Sequence, residues 1–271
     1  MEPERLDVPR LNFQGTVDEI IRFIKKVVTD AKAQGVVIGL SGGVDSSLAG
    51  ALCVKALGKE RILGISMPTL FTPKQDVEDA SLLAKKWGIR TLLINIQNIS
   101  EEFVSSLKCN ATDLKYRTAI GNIYARVRMI ILYYYANISN YLVVGTGDRS
   151  EELIGFFTKY GDGGADFLPI AHLYKTEVRK LAKYIGIPEK ISNKPSSPQL
   201  YPGHKAIDEI PIDYDQLDKA LIGLFDYKLS PKRVHEITTI SMDAINKIIK
   251  RFETSKHKRS YPPMLARQMK T

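Results

Sequence analysis

With 271 residues, 44% of them hydrophobic and 25% charged, the chain has the composition of an ordinary globular protein and the length to bury a full core. No apolar run approaches the ~20 residues of a membrane span, and the charged start MEPERLDVPRLNF is no signal peptide, so a cytoplasmic protein without membrane contact is expected. The net charge of +9 raises two readings, solvated helix faces or an anionic partner such as nucleic acid or a polyphosphate.

In chain order, TVDEIIRFIKKVVTDAKAQG opens with a capping box from Thr16 to Glu19 and predicts an amphipathic helix ending near Gly35. VVIGL (36–40) is an apolar run rich in β-branched side chains and reads as a strand. The apolar spacing over 45–57, stopped by Gly58, predicts a helix. A strand at 61–67, a helix at 73–87 ending at Gly88, a strand at 91–96 and a short helix at 98–107 follow. A long helix is expected over 118–136 and a strand over 141–147; 168–174 is a short fifth strand or a loop, and 175–185 is helical. This alternation predicts an α/β fold, an open parallel sheet with helices on both faces. Residues 192–211 hold four prolines and no apolar periodicity, which predicts a flexible loop. Helices return at 213–224, 231–238 and 241–253, and 1–271 reads as a single domain.

Cys53 and Cys109 have no metal-type spacing and are expected as reduced thiols, and the four histidines (172, 204, 235, 257) are scattered, so no zinc site is expected.

The stretch GLSGGVDSSLAG (39–50) joins the first strand to the next helix through Ser-Gly-Gly. Glycines let the backbone approach a ligand, a helix start offers unpaired N–H groups to an anion, and Ser41, Ser46 and Ser47 add hydroxyl donors. Neither GxxxxGK[ST] nor GxGxxG is present. Instead Asp45 stands among the donors, where it would repel phosphate unless a cation such as Mg²⁺ bridged them. The plain alternative is a tight turn with a capping acid. SGGVDSS behind a buried strand resembles the pyrophosphate-binding loop of the ATP pyrophosphatase (PP-loop, or N-type) enzymes, which cleave ATP between the α and β phosphates.

A second loop, GTGDRSEELIGFFTKYGDGGADFLP (145–169), follows the expected fourth strand and carries Glu151, which could share a cation with Asp45 or simply be a helix-start acid. GLSGGVDSS, GNIYARVRM (121–129), GTGDRSEELIGFFTKYGDGGADFLPI and TSKHKR (254–259) together resemble the ammonia-dependent NAD synthetases, over about residues 16 to 264, with GFFTKYGDGGAD the most diagnostic part. The resemblance implies an adenine nucleotide alpha-hydrolase-like (Rossmann-like) fold and an enzyme that uses Mg-ATP to activate the carboxylate of deamido-NAD. Ammonia would then displace AMP to give NAD.

Carried over by motif, Gly39, Leu40, Ser41, Gly42, Gly43, Val44, Asp45 and Ser46 would hold ATP, with Thr146, Lys175 and Ser197. Ser197 departs from the family pattern and Ser196 is its rival. Asp45 and Glu151 would ligate Mg²⁺, and Lys175 would clamp phosphate. Arg126, Lys159, Asp166, His257 and Lys258 would hold deamido-NAD, with Asp166 or solvent taking the proton from ammonia. The basic run Lys247–Lys258 is then a phosphate clamp rather than a nucleic-acid surface, and the C-terminal helical segment 213–264 completes the site. The family's glutamine-hydrolysing domain would not fit ahead of the first strand, so free ammonia is the expected donor unless a separate amidase subunit supplies it. The family is typically a homodimer, and the apolar IILYYYA (130–136) would suit its interface or pack on the sheet. The competing readings are another PP-loop ligase or thiolase, a non-catalytic nucleotide-binding module, and an RNA-binding protein.

Overall fold

The structure, a computed structural model, describes residues 3–107, 113–197, 199–204 and 209–265; Cys109 and part of the expected flexible loop 192–211 lie outside the described residues. Four strands, β1 (Gly35–Gly39), β2 (Ile62–Ser66), β3 (Arg90–Leu93) and β4 (Tyr141–Val144), form one parallel sheet in the order β3-β2-β1-β4. Val37 of β1 pairs with Leu63 on one side and Val143 on the other. Val36, Val37 and Ile38 are fully buried, which is why this central strand reads as an unbroken apolar run rather than an alternating one. Gly35 opens the strand because a Cβ there would lie 2.3 Å from the Arg61 carbonyl oxygen.

Helices α1 (Phe13–Asp30), α2 (Val44–Leu57), α3 (Lys74–Trp87) and α7 (Lys175–Tyr184) pack on one face through Val36, Ile38, Ile62 and Val144. On the other face α5 (Arg117–Ser139) covers Val37, Leu63, Ile65 and Val143, with α4 (Gln97–Ser105) beside it. A third apolar cluster joins α6 (Arg149–Ile154), α9 (Tyr214–Leu221), α10 (Pro231–Thr238) and α11 (Met242–Thr254) through Ile154, Leu217, Val234 and Ile245. Helix α1 buries Val17, Ile20, Ile24 and Val28 at helical spacing. Truncating the fully buried Ile24 to Ala would cost about 2–5 kcal/mol. The α/β fold with helices on both faces is as the alternation predicts.

Some local expectations change. Helix α1 starts at Phe13, not at a Thr16 capping box: the Asn12 side chain accepts from the Gly15 N–H at 3.1 Å and supplies the cap one turn earlier. β4 ends at Val144 because the next amide, Gly145 N–H, turns to the Phe167 carbonyl at 2.9 Å. Phe167 makes a single parallel bridge to Val144, and 168–174 is turn rather than a fifth strand. The 145–169 loop contains α6, capped by Asp148, and a short helix α8 (Glu189–Ser192) precedes the proline-rich segment. After α9 the chain widens into a π turn at Ile222–Asp226, where the Tyr227 N–H reaches back to the Ile222 carbonyl at 3.0 Å. Cys53 is a free, buried thiol whose pKa burial pushes up to about 12, so it is inert packing. No helix among the described residues is long and apolar enough to cross a membrane.

Candidate active site

Because β1 pairs with both β2 and β4, the loops leaving β1 and β4 lie side by side at the carboxyl ends of the strands, the place where open parallel sheets bind ligands. They open on a cavity of about 550 Å³ walled by Gly39, Ser41, Gly43, Asp45, Ser46 and, from the second loop, Thr146 and Glu151. Leu40 and Val44 share that wall, and Leu40 is held to the sheet by its N–H to the Ile65 carbonyl at 2.9 Å. Gly42 makes the turn with φ +76°, and a Cβ there would sit 2.2 Å from the Asp76 carbonyl oxygen, so this position requires glycine twice over. No side chain caps α2, which leaves its first-turn N–H groups available to an anion. The Ser41 and Ser46 hydroxyls are 3.0 Å apart, and Ser47 binds the Gly43 carbonyl at 2.7 Å, bracing the turn from behind.

At the floor, the Lys175 ammonium is fully buried and stands 2.8 Å from each of Asp45 Oδ1, Asp148 Oδ2 and Glu151 Oε1. It hydrogen-bonds to Asp45 and Glu151; Asp148, itself fully buried, is an ion-pair partner off the hydrogen-bond direction. Burial alone would lower the Lys175 pKa, but Asp148, Asp45 and Glu151 outweigh it and hold the pKa well above the usual lysine value. Burial, then the Asp148 charge, drives Glu151 well above the usual carboxylate range, and burial raises Asp148 too. Lys175 is therefore caged by carboxylates. The cage is positioned from the C-terminal helices: Asp218 of α9 accepts from Ser150 Oγ at 2.5 Å and Thr176 N–H at 2.9 Å, and Ser150 Oγ accepts the Lys175 N–H at 2.9 Å.

Whether these residues suit a divalent cation follows from charge. Three carboxylates face one ammonium, and Asp45 Oδ2 and Glu151 Oε2 make no hydrogen bond to described residues although both side chains line the cavity. The described residues contain no group of three or more side chains able to hold a metal alone. A site of one or two carboxylates completed by substrate phosphate and water is the usual magnesium arrangement, so the residues fit.

The residues expected on the dinucleotide side are placed differently. Lys258 lines the cavity and gives its ammonium to the Gly155 and Phe157 carbonyls at 2.8 and 2.7 Å. Lys159 binds the His257 carbonyl at 2.7 Å, and Arg126, exposed on α5, reaches the Lys159 carbonyl at 3.4 Å. Asp166 turns both oxygens inward, to Tyr133 OH at 3.1 Å and the Val143 N–H at 2.7 Å. Arg126, Lys159, Asp166 and His257 are not in the cavity wall. Sequence reasoning missed Arg128, two residues from Arg126, which is in that wall, is held by the Met67 carbonyl at 3.2 Å and has its pKa lowered to about 10 by burial. It also missed Asp162, in the same wall, whose carboxylate accepts the Thr158 N–H at 2.9 Å. Of the rival serines, both at the wall, Ser197 donates its hydroxyl to the His204 carbonyl, whereas the buried Ser196 hydroxyl has no partner among the described residues.

The family model described as NAD synthase matches residues 16–262. The chain belongs to this family. The chain is 48% identical over 259 residues to the NH(3)-dependent NAD(+) synthetase of Staphylothermus marinus, covering 95% of this chain and 93% of that one. Among solved structures it is similar to the NH3-dependent NAD synthetase from Campylobacter jejuni in complex with the nitrate ion, at 32% identity and a TM-score of 0.79 over 94% of this chain and 100% of the other. It is also similar to the NMN synthetase from Francisella tularensis, at 31% identity and a TM-score of 0.82 over 94% of this chain and 99% of the other.

Proposed function

We propose that this NAD synthase family member amidates deamido-NAD to NAD with ammonia and ATP, releasing AMP and pyrophosphate. The observation that carries the reading is the meeting, in one cavity, of an anion cradle and an excess of buried carboxylate. A substrate carboxylate is a poor electrophile. Its oxygen attacks the α-phosphorus of ATP, the α–β bridging bond breaks, and pyrophosphate leaves from an acyl adenylate. Ammonia adds to the acyl carbon, AMP departs with the bonding pair, and the nitrogen sheds a proton to solvent or a carboxylate. Asp166 and solvent are the acceptors the family resemblance suggests, and Asp162, in the cavity wall, is a further candidate.

The chain's share is alignment and charge. The Gly39–Ser46 turn and Thr146 hold the triphosphate, with Ser197 or Ser196 closing on it, and the caged Lys175 fixes the spacing of Asp45 and Glu151. Asp45 and Glu151 would hold Mg²⁺, which supplies neutralisation of phosphate charge. Arg126, Lys159, Asp166, His257 and Lys258 bind deamido-NAD in this proposal. Their position outside the cavity wall, Lys258 excepted, is explained by a homodimer that builds the dinucleotide site between two copies. Residues 1–271 act as one domain, the 192–211 segment orders over ATP, and 213–264 completes the site. A buried free thiol at Cys53 suits the cytoplasm.

The test is product analysis with Mg-ATP, ammonium and deamido-NAD. NAD, AMP and pyrophosphate should appear together, and the rate should climb with pH as NH₃ replaces NH₄⁺. Glutamine should support far less. The deamidated mononucleotide, run in parallel because of the Francisella name, decides the substrate: faster turnover of the mononucleotide would replace deamido-NAD in this proposal.

A further inference from the structure

Lys194 lies between α8 and the serines of the proline-rich segment, in a position no motif marks. Its ammonium has three N–H donors and three acceptors: the Gly42 carbonyl at 2.9 Å, Asp76 Oδ1 at 2.8 Å and Asp79 Oδ2 at 2.8 Å. Both aspartates belong to the start of α3 and are buried. Each is held a second time: Asp79 by Lys190 at 2.5 Å and by Gln75 at 3.0 Å, Asp76 by Gln199. A group so fully engaged has no donor left for phosphate, so its role is to fix something else.

What it fixes is the peptide between Gly42 and Gly43. A trans peptide sets the carbonyl and the following N–H on opposite sides of its plane. With the Gly42 carbonyl drawn to Lys194, the Gly43 N–H faces the other way, toward Ser41 Oγ at 3.3 Å in the cavity wall. Gly42 has φ +76° and no Cβ, so nothing in its own chemistry prevents this peptide from rotating. We propose that Lys194 is a positioning residue for the pyrophosphate cradle: it locks the Gly42–Gly43 peptide with its N–H inward and ties that turn to α3 and to the serine segment. The inference rests on the ATP-using reading above and adds a residue of the cavity wall whose ammonium is turned to protein acceptors.

The test measures binding of inorganic pyrophosphate with magnesium by titration calorimetry, together with steady-state KM values, in the wild type and in Lys194→Met. Losing a charge-assisted hydrogen bond predicts about ten- to hundredfold weaker pyrophosphate binding and a matching rise in the KM for ATP. The KM for deamido-NAD should stay within about twofold, a split that general loosening of the fold would not give. Lys194→Met leaves two buried carboxylates with fewer partners, so circular dichroism and Tm are recorded for it. Should it not fold, Asp76→Asn, which keeps the Asp79 pair, is read by the same criteria with a smaller shift. Wild-type affinity for pyrophosphate in the folded variant, or equal rises in both KM values, would overturn the inference alone. A wild-type protein that does not bind pyrophosphate would overturn the functional reading and this inference with it.

Discussion

The two halves of the candidate site are built on different principles. On the ATP side, Asp45, Asp148, Glu151 and Lys175 bond to one another, are largely buried, and come from three segments locked together by the sheet and α9. On the dinucleotide side, Arg126, Lys159 and Lys258 use their cationic heads on backbone carbonyls, and only Lys258 reaches the cavity. The contacts of the first half all lie within one chain. The second is a rim of basic residues around a loop, beside the exposed apolar face of α5 formed by Ile130, Tyr134 and Ile138 at 57, 59 and 63% exposure. A reacting centre needs its spacing fixed before substrate arrives, whereas a recognition surface can be finished by a neighbour.

The largest expected effect breaks the first half without touching the second. Asp45→Asn and Glu151→Gln should each lower deamido-NAD-dependent exchange of pyrophosphate into ATP by roughly 10²–10³-fold. Circular dichroism should be unchanged, because Lys175 keeps its other partners. Wild-type exchange in both would reduce these acids to turn and cap residues. Next, Lys258→Ala should raise the KM for deamido-NAD by about tenfold and that for ATP much less, since it frees the Gly155 and Phe157 carbonyls that shape the aromatic loop. Equal changes in both KM values would erase the division between the halves. Charging the exposed face of α5, as in Tyr134→Glu with Ile138→Glu, should yield a monomer by light scattering. That monomer should be weaker for deamido-NAD yet still able to bind pyrophosphate; a monomer with full activity would mean the second half is complete alone.

The smallest effect concerns Glu152, next to the cage but outside it. Burial, opposed by Arg259 and reinforced by Asp148 and Asp162, raises its pKa from 4.5 to about 6. The folded protein therefore holds a proton that the unfolded chain has released between those values. Stability falls as pH rises through that window and stays lower above it. Glu152→Gln should flatten this slope and stabilise the protein at pH 8 by about 1 kcal/mol, less than the full shift because the carboxyl is partly solvated. Parallel urea titrations of wild type and variant at low and high pH would show it; an unchanged slope would assign the titration to another group.

The glycine turn was legible because its chemistry is local: strand, turn and helix start are contiguous from Val36 to Ser47. The parallel sheet was legible for the same reason, as each strand carries its own apolar run. The Lys175 cage was only half legible. Lys175 and Asp45 are 130 residues apart, and Asp148 looks in sequence like an ordinary helix cap; its second task follows only from burial. Arg126 was carried over by motif, whereas Arg128, two residues and about 200° further round the helix, is the arginine in the cavity wall, and nothing in YARVRM signals which of the two faces it. The α1 cap was missed because Thr16 and Glu19 satisfy the same spacing rule that Asn12 meets earlier in the chain. Lys194 leaves no sequence signal at all, since its acceptors are a backbone oxygen and two acids of a distant helix.

Arg259 donates to the Glu152 and Leu153 carbonyls at the end of α6, and to Ser255 Oγ and the Phe252 carbonyl at the end of α11. The loop that follows α6 is thus fastened by residues translated after every other part of the site. During synthesis the sheet and its glycine turn can emerge and fold while their fastening is still inside the ribosome. A chain interrupted before residue 255 would keep the glycine turn and lack the Lys258 and Arg259 contacts that fasten α6 and the loop after it. The order of translation thereby places the glycine turn first and its fastening last.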